Sequence, residues 1–211
     1  MNGQGIRGAI AQGMSARRPD LSPPTYLYSA VPNQLASAEA ATVYTWTCPT
    51  SGWWRFVAWG PGGSNSNGSG GGAGALVVAD RPLSQGQSVQ IAVGEGGRGT
   101  APIPSTTVTF PWAETLTAGA GACGTTPGLA GGVAICNPNI GDIGLNGSTG
   151  SLSSTGGGVA APSYGTYFGG GAGAYGTLRG ATPGAGAPGA STGSYVGGQG
   201  LVLVHQVRLH N

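Results

Sequence analysis

The sequence predicts an all-β protein, a β-sandwich carrying an inserted bundle of short, extended glycine helices. Three observations lead there. Glycine makes up 45 of 211 residues, about three times its usual share of roughly 7%. Alternating β-branched and aromatic runs stand on both sides of the most glycine-rich stretch. Within that stretch glycine recurs every third residue, a period that is neither helical nor that of a strand.

Residues 1–41 read as an N-terminal arm, with Arg7, Arg17, Arg18 and prolines at 19, 23, 24 and 32 but no clear period. Such a segment lies on something else, either its own domain or a partner. A short helix is expected near Leu35–Ala41. The domain proper spans 42–211. Val43-Tyr44-Thr45-Trp46-Thr47 reads as a strand, Cys48-Pro49-Thr50-Ser51-Gly52 as a turn, and Trp53-Trp54-Arg55-Phe56-Val57-Ala58-Trp59 as a second strand. Alternation puts Trp54, Phe56 and Ala58 on one face and Trp53, Arg55, Val57 and Trp59 on the other. Both faces are mostly apolar and expected to be covered, with Arg55 needing a partner or an exit to water. Residues 60–74, with eight glycines, read as a loop. Ala75–Asp80 follows as a strand, Leu83–Gln87 as a bend, and Ser88–Val93 as a half-buried strand facing inward through Val89, Ile91 and Val93. A last strand is expected over Gly200–Leu209. A terminal strand after a glycine-rich stretch implies that the two ends of the domain join in one sheet.

The stretch 119–200 is the main insertion, with 27 glycines in 82 residues and only Asp142 and Arg179 charged. The three-residue period appears at Gly141, Gly144, Gly147 and Gly150, at Gly170, Gly173 and Gly176, and at Gly186 and Gly189. It matches the left-handed polyproline II helix. One edge of such a helix carries only hydrogen, so neighbouring backbones can approach and exchange hydrogen bonds. The recurring Leu129, Val133, Ile135, Ile140, Ile143 and Leu145, with five aromatic rings, argue for order.

Composition removes several function classes. Charged residues are 7% of the chain, and all eight cations are arginine. Eight scattered cations make a poor nucleic-acid surface. A Walker-type nucleotide loop requires lysine. No run of about 18 apolar residues offers a membrane span, and residues 1–14 lack the apolar segment of an export signal. Gly94-Glu95-Gly96-Gly97-Arg98-Gly99 fits G-x-G-x-x-G, but Pro102 and Pro104 deny it the helix a dinucleotide site needs. Cys48, Cys123 and Cys136 show no zinc spacing; they read as small buried residues, with a Cys123–Cys136 bridge as the alternative outside a cell. No metal, cofactor or catalytic set is expected. The six acids stand singly, and His205 reads as a core histidine in mid-strand.

Four ordered blocks carry a resemblance. They are Trp46-Thr47-Cys48-Pro49 leading to Trp54-Arg55-Phe56-Val57-Ala58-Trp59-Gly60-Pro61-Gly62-Gly63; Gly74-Ala75-Leu76-Val77; Leu83–Gly97; and Gly197-Gly198-Gln199-Gly200-Leu201-Val202-Leu203-Val204. Across roughly 42–205 the chain resembles the glycine-rich domain of bacteriophage tail and fibre proteins. It is also similar to the glycine-rich ectodomain of anaplastic lymphoma kinase receptors, from which it departs by its few cysteines and its lack of signal, span and kinase. The resemblance implies a jelly-roll sandwich of the tumour-necrosis-factor type carrying polyglycine II helices. It further implies a homotrimer and a place on a virion.

Two sets of residues are candidate contacts. Tyr164, Tyr167, Phe168 and Tyr175 cluster among glycines, a pairing that makes adaptable binding surfaces. They read as a host contact, to a surface glycan or an outer-membrane protein, or as plugs between glycine helices or subunits. Arg7, Arg17 and Arg18 are candidates for anchoring on another virion protein through charge-assisted bonds, or belong to a solvated tail. The expected function is a non-enzymatic tail-fibre or spike tip. The alternative is a head fibre, capsid decoration or tail-connecting protein without receptor binding. An ice-binding bundle is a third reading, disfavoured by the irregular glycine runs.

Overall fold

The computed structural model describes residues 25–30, 41–64, 70–97, 102–122, 130, 132–137, 140–148 and 196–207. These form ten strands: β1 (Thr25–Ser29), β2 (Thr42–Thr47), β3 (Gly52–Trp59), β4 (Leu76–Leu83), β5 (Ser88–Val93), β6 (Thr106–Thr109), β7 (Thr115–Ala118), β8 (Ala134–Ile135), β9 (Ile143–Leu145) and β10 (Leu201–Gln206). They make two five-stranded sheets, ordered β1-β10-β3-β4-β9 and β2-β5-β6-β7-β8. Every pairing is antiparallel. The all-β expectation holds.

The alternation read in Trp53–Trp59 is the alternation observed. Trp54, Phe56 and Ala58 enter the core between the sheets, where they meet Trp46, Val89, Ile91, Val93, Val108, Phe110 and Leu116 of the second sheet. Ring pairs run through this core: Tyr26 to Trp46 at 5.8 Å, Trp46 to Trp54 at 4.9 Å, and Phe56 to Phe110 at 5.0 Å between centroids. These are edge-on contacts, the arrangement the ring quadrupole favours. Val57 and Trp59 turn outward and join Leu76, Val78, Leu201 and Leu203 in a second buried cluster on the other face of the first sheet.

Several elements differ from expectation. Residues 25–29, within the stretch read as an arm, form β1 and pair with β10 over its whole length. Tyr26 and Tyr28 pack against the core while Leu27 stays exposed. The helix expected near 35–41 falls almost wholly outside the described residues. β4 continues to Leu83, through Pro82. β9 pairs only with Leu76, Val77 and Val78, so Pro82 sits where β4 is an edge, the position a sheet accepts proline. The hairpin of β6 and β7 is additional. Its strands are four residues each.

The largest correction concerns residues 60–74. Where described, 60–64 and 70–75 are buried throughout; this is interior, not a surface loop. Backbone hydrogen bonds knit it to other glycine-rich segments. Gly62 N–H donates to Gly198 O, Gly63 to Gly72, Gly97 to Gly62, Gly121 to Pro61, Gly132 to Ala73 and Gly147 to Gly132, all within 2.8–2.9 Å. A Cβ added at Gly63, Gly72, Gly121, Gly147 or Gly197 would overlap a carbonyl oxygen of another segment. Positive φ among the described residues occurs at Gly52, Gly86, Gly141 and Ala113, none of them in this mesh. The mesh glycines are therefore required for close approach, not for unusual dihedrals.

Register gathers the mesh at one end of the sandwich. Trp59 faces Leu76 and Leu201, Ser29 faces Leu201, Thr42 faces Val93, and Thr106 faces Ala118. Segments 60–64, 70–75, 94–97, 119–122, 130, 132–133, 146–148 and 196–200 meet there. The chain leaves this end at 64, 97, 122 and 148 and returns at 70, 102, 130 and 196. The opposite end gathers 48–51, 84–87, 110–114, 140–142 and 206–207. The chain enters β1 and leaves β10 at that end, where Thr25 faces His205.

Candidate functional site

The end opposite the mesh is built of side chains. On the outer face of the first sheet, register aligns Thr25, His205, Arg55 and Asp80 in one row. The next row holds Trp53 and Pro82, with Val207 fixed beside Trp53 by a 2.8 Å bond from its N–H to the Trp53 carbonyl. Arg55 Nε and Nη2 each donate to an Asp80 carboxylate oxygen at 2.7 Å. Thus Arg55 has the partner its outward position demanded. The pair is bidentate and half-exposed, on directly opposed positions of two strands.

Beside this pair lies a cleft of about 330 Å³, lined by Trp53, Asp80, Ile140, Gly141 and Val207. Trp53 is 42% exposed and Ile140 55%, whereas Trp46, Trp54 and Trp59 are at most 2% exposed. Gly141 turns the chain at φ 85°, with open space where a Cβ would project. His205, next in the row, is half-buried. Burial pushes its pKa down and the Arg55 charge pushes the same way, against Asp80. The net effect favours the neutral imidazole.

Behind the cleft, on the inner side of β4, Arg81 is 3% exposed. All five of its N–H groups are used. Nη1 and Nη2 donate to Asp142 at 2.6 and 2.7 Å, Nε and Nη2 to Glu114 at 3.1 and 2.5 Å, and Nη1 also to the Asp80 carbonyl at 2.9 Å. Burial works against the guanidinium's charge, but its hydrogen bonds to Asp142 and Glu114, with the charges of those acids, outweigh it and its pKa rises. Arg81 in turn holds the Glu114 carboxyl below the usual range, against burial and with help from the Trp112 indole. Asp142 Oδ2 also accepts the Asn137 N–H at 3.0 Å. One arginine thus ties β4 to the β6–β7 hairpin and to the turn before β9.

The tip of that hairpin shows Trp112. Its ring stacks on Phe110 at 5.1 Å and 5° between planes, and its Nε1–H donates to Glu114 at 2.8 Å. Ala113 closes the turn at φ 67°, a left-handed conformation that costs alanine about 1–2 kcal/mol.

The residues expected as contacts, Tyr164, Tyr167, Phe168 and Tyr175 for a host and Arg7, Arg17 and Arg18 for anchoring, lie outside the described residues. So does Cys123; Cys48 and Cys136 are free thiols whose pKa burial pushes up. Gly94–Gly97 follows β5 into the mesh and not into a helix. His205 is not a core residue of an apolar face but shares a row with an ion pair. The cleft was missed in the sequence because Ile140 and Val207 stand far from Trp53 in the chain. The usable signal was Trp53 on the same strand face as Arg55. No protein-family model matches the chain, and no curated protein matches it in sequence.

Proposed function

We propose that this chain is a non-enzymatic bacteriophage virion protein, a tail-fibre or spike tip that holds a display domain away from the particle. The observation that carries the reading is the division between the two ends. The segments 65–69, 98–101, 123–129 and 149–195 all leave from and return to the mesh end. The last of them contains Tyr164, Tyr167, Phe168 and Tyr175. The stretch holding Arg7, Arg17 and Arg18 joins β1 at the other end. A display scaffold has this layout: attachment at one end, replaceable loops at the other.

In this reading the two sheets are a jelly-roll of the tumour-necrosis-factor type, assembled as a homotrimer, and the mesh is the root of a bundle of polyglycine II helices. The three-residue steps Gly60 to Gly63, Gly71 to Gly74 and Gly197 to Gly200 support that, since each of the six is pressed against its surroundings. The reading includes no catalytic step and no cofactor. Asp80, Glu114 and Asp142 are each held in an ion pair with an arginine.

Antibody raised against residues 149–195, applied to intact particles with mass spectrometry of the same sample, tests the proposal. Label at the tail end is expected. Label over the head would replace it with a head-fibre or decoration role. Absence of the chain from purified particles would overturn it.

A further inference from the structure

We infer that the cleft between Trp53 and Ile140 binds one ring of a neutral saccharide. Size is the first ground. About 330 Å³ lies at the bottom of the range of roughly 300–1,000 Å³ for small-molecule sites, so the cleft takes one small ring and not an extended ligand. Its walls are the second ground. Trp53 is left 42% exposed on a strand whose other aromatic rings are buried. An indole offers a flat, rigid apolar face suited to the C–H face of a pyranose.

The floor decides the charge of the ligand. Arg55 and Asp80 each keep about 30–33% of their side chain exposed. Of the two, Asp80 lines the cleft; paired at 2.7 Å with Arg55 beside it, its charge is met while its carboxylate still offers lone pairs to a ligand. A carboxylate whose charge is already met gives a cation no advantage, whereas a sugar hydroxyl can donate a hydrogen bond to it. Gly141, with open space at its Cβ position, keeps the rim clear. Arg81 holds the turn that carries Ile140 and Gly141 through Asp142, so the cleft exists before the ligand arrives and little ordering opposes binding.

This site is separate from the tyrosine segment, and it does not depend on the attachment reading. Its test needs only the purified full-length chain. Saturation-transfer NMR against a panel of neutral monosaccharides (glucose, galactose, mannose, N-acetylglucosamine, N-acetylgalactosamine) is expected to show transfer to the ring C–H protons of at least one sugar at millimolar concentration. Trp53→Ala should weaken that binding about tenfold or more, Trp53→Phe should restore part of it, and Asp80→Asn should reduce it. Melting curves of Trp53→Ala and Trp53→Phe, measured beside the binding, separate lost binding from lost folding. The inference is overturned if no sugar in the panel shows transfer. It is also overturned if Trp53→Ala binds as well as the parent, or if only an acidic sugar such as a sialic acid binds.

Discussion

The two ends of this sandwich have solved one problem by opposite means. Each must close a β-sandwich without leaving buried polar groups unpaired. At the mesh end the closing material is backbone: Gly60, Gly62, Gly63, Gly72, Gly119 and Gly121 pair amide to carbonyl across segments far apart in sequence. At the opposite end it is side chain: one guanidinium shared between Glu114 and Asp142, capped by stacked rings. The backbone solution tolerates no Cβ, so glycine is dictated by space. The side-chain solution needs particular charges, so identity is dictated by chemistry. The difference shows that low charge and low side-chain bulk do not by themselves mean disorder.

The contrast predicts how each end fails. Gly121→Val places a branched side chain against the Gly72 backbone, which has nowhere to move. We expect a loss above about 4 kcal/mol, seen as failure to obtain soluble folded protein. Arg81→Leu should cost about 3–5 kcal/mol by leaving two carboxylates unpaired, measured by urea unfolding; the double change of Glu114 and Asp142 to the amides in that background should recover part of it. If the mesh is held as tightly as the sheets, the amides of Gly62, Gly63 and Gly121 will exchange with deuterium as slowly as those of β3. Rapid exchange there would break the comparison.

Acid should act on the side-chain end. The folded pKa of Glu114 is lowered, so its contribution is present above the unfolded value, about 4.3, and is lost as pH falls through the lower folded value. Urea midpoints across that window should drop, and Glu114→Gln should flatten the drop. His205, also lowered, stabilises fully above about 6.5 and loses that contribution as pH falls through its folded value. His205→Gln should remove this shallower slope. The smallest effect is at the hairpin tip. Ala113→Gly relieves the left-handed strain and should gain about 0.5–1 kcal/mol net of glycine's entropy cost.

What the sequence made legible was whatever announces itself locally. Trp53–Trp59 and Ser88–Val93 alternate within one strand, and both alternations emerged as read, except that Trp53 stands 42% exposed on a face expected to be covered. β6 and β7 did not, because four-residue strands flanked by Pro104 and Pro111 carry too little pattern to stand out. Residues 60–74 looked like a loop since glycine marks both loops and close packing, and only the partner segments distinguish the two. The candidate site was half visible: Trp53 and Arg55 share a face by parity, but Asp80, Ile140 and Val207 join them only through pairings that no local window contains.

The glycine mesh also bears on how this protein meets heat and cold. A domain that buries hydrocarbon gains a large heat capacity on unfolding, whereas exposing amide groups lowers it. This chain commits a whole end of its sandwich to buried amide. Its heat-capacity increment per residue should fall below the ordinary 12–15 cal/mol/K, giving a flatter stability curve. The fold then loses less on cooling than a hydrocarbon core of equal size, and its stability varies less over the temperatures at which it must persist.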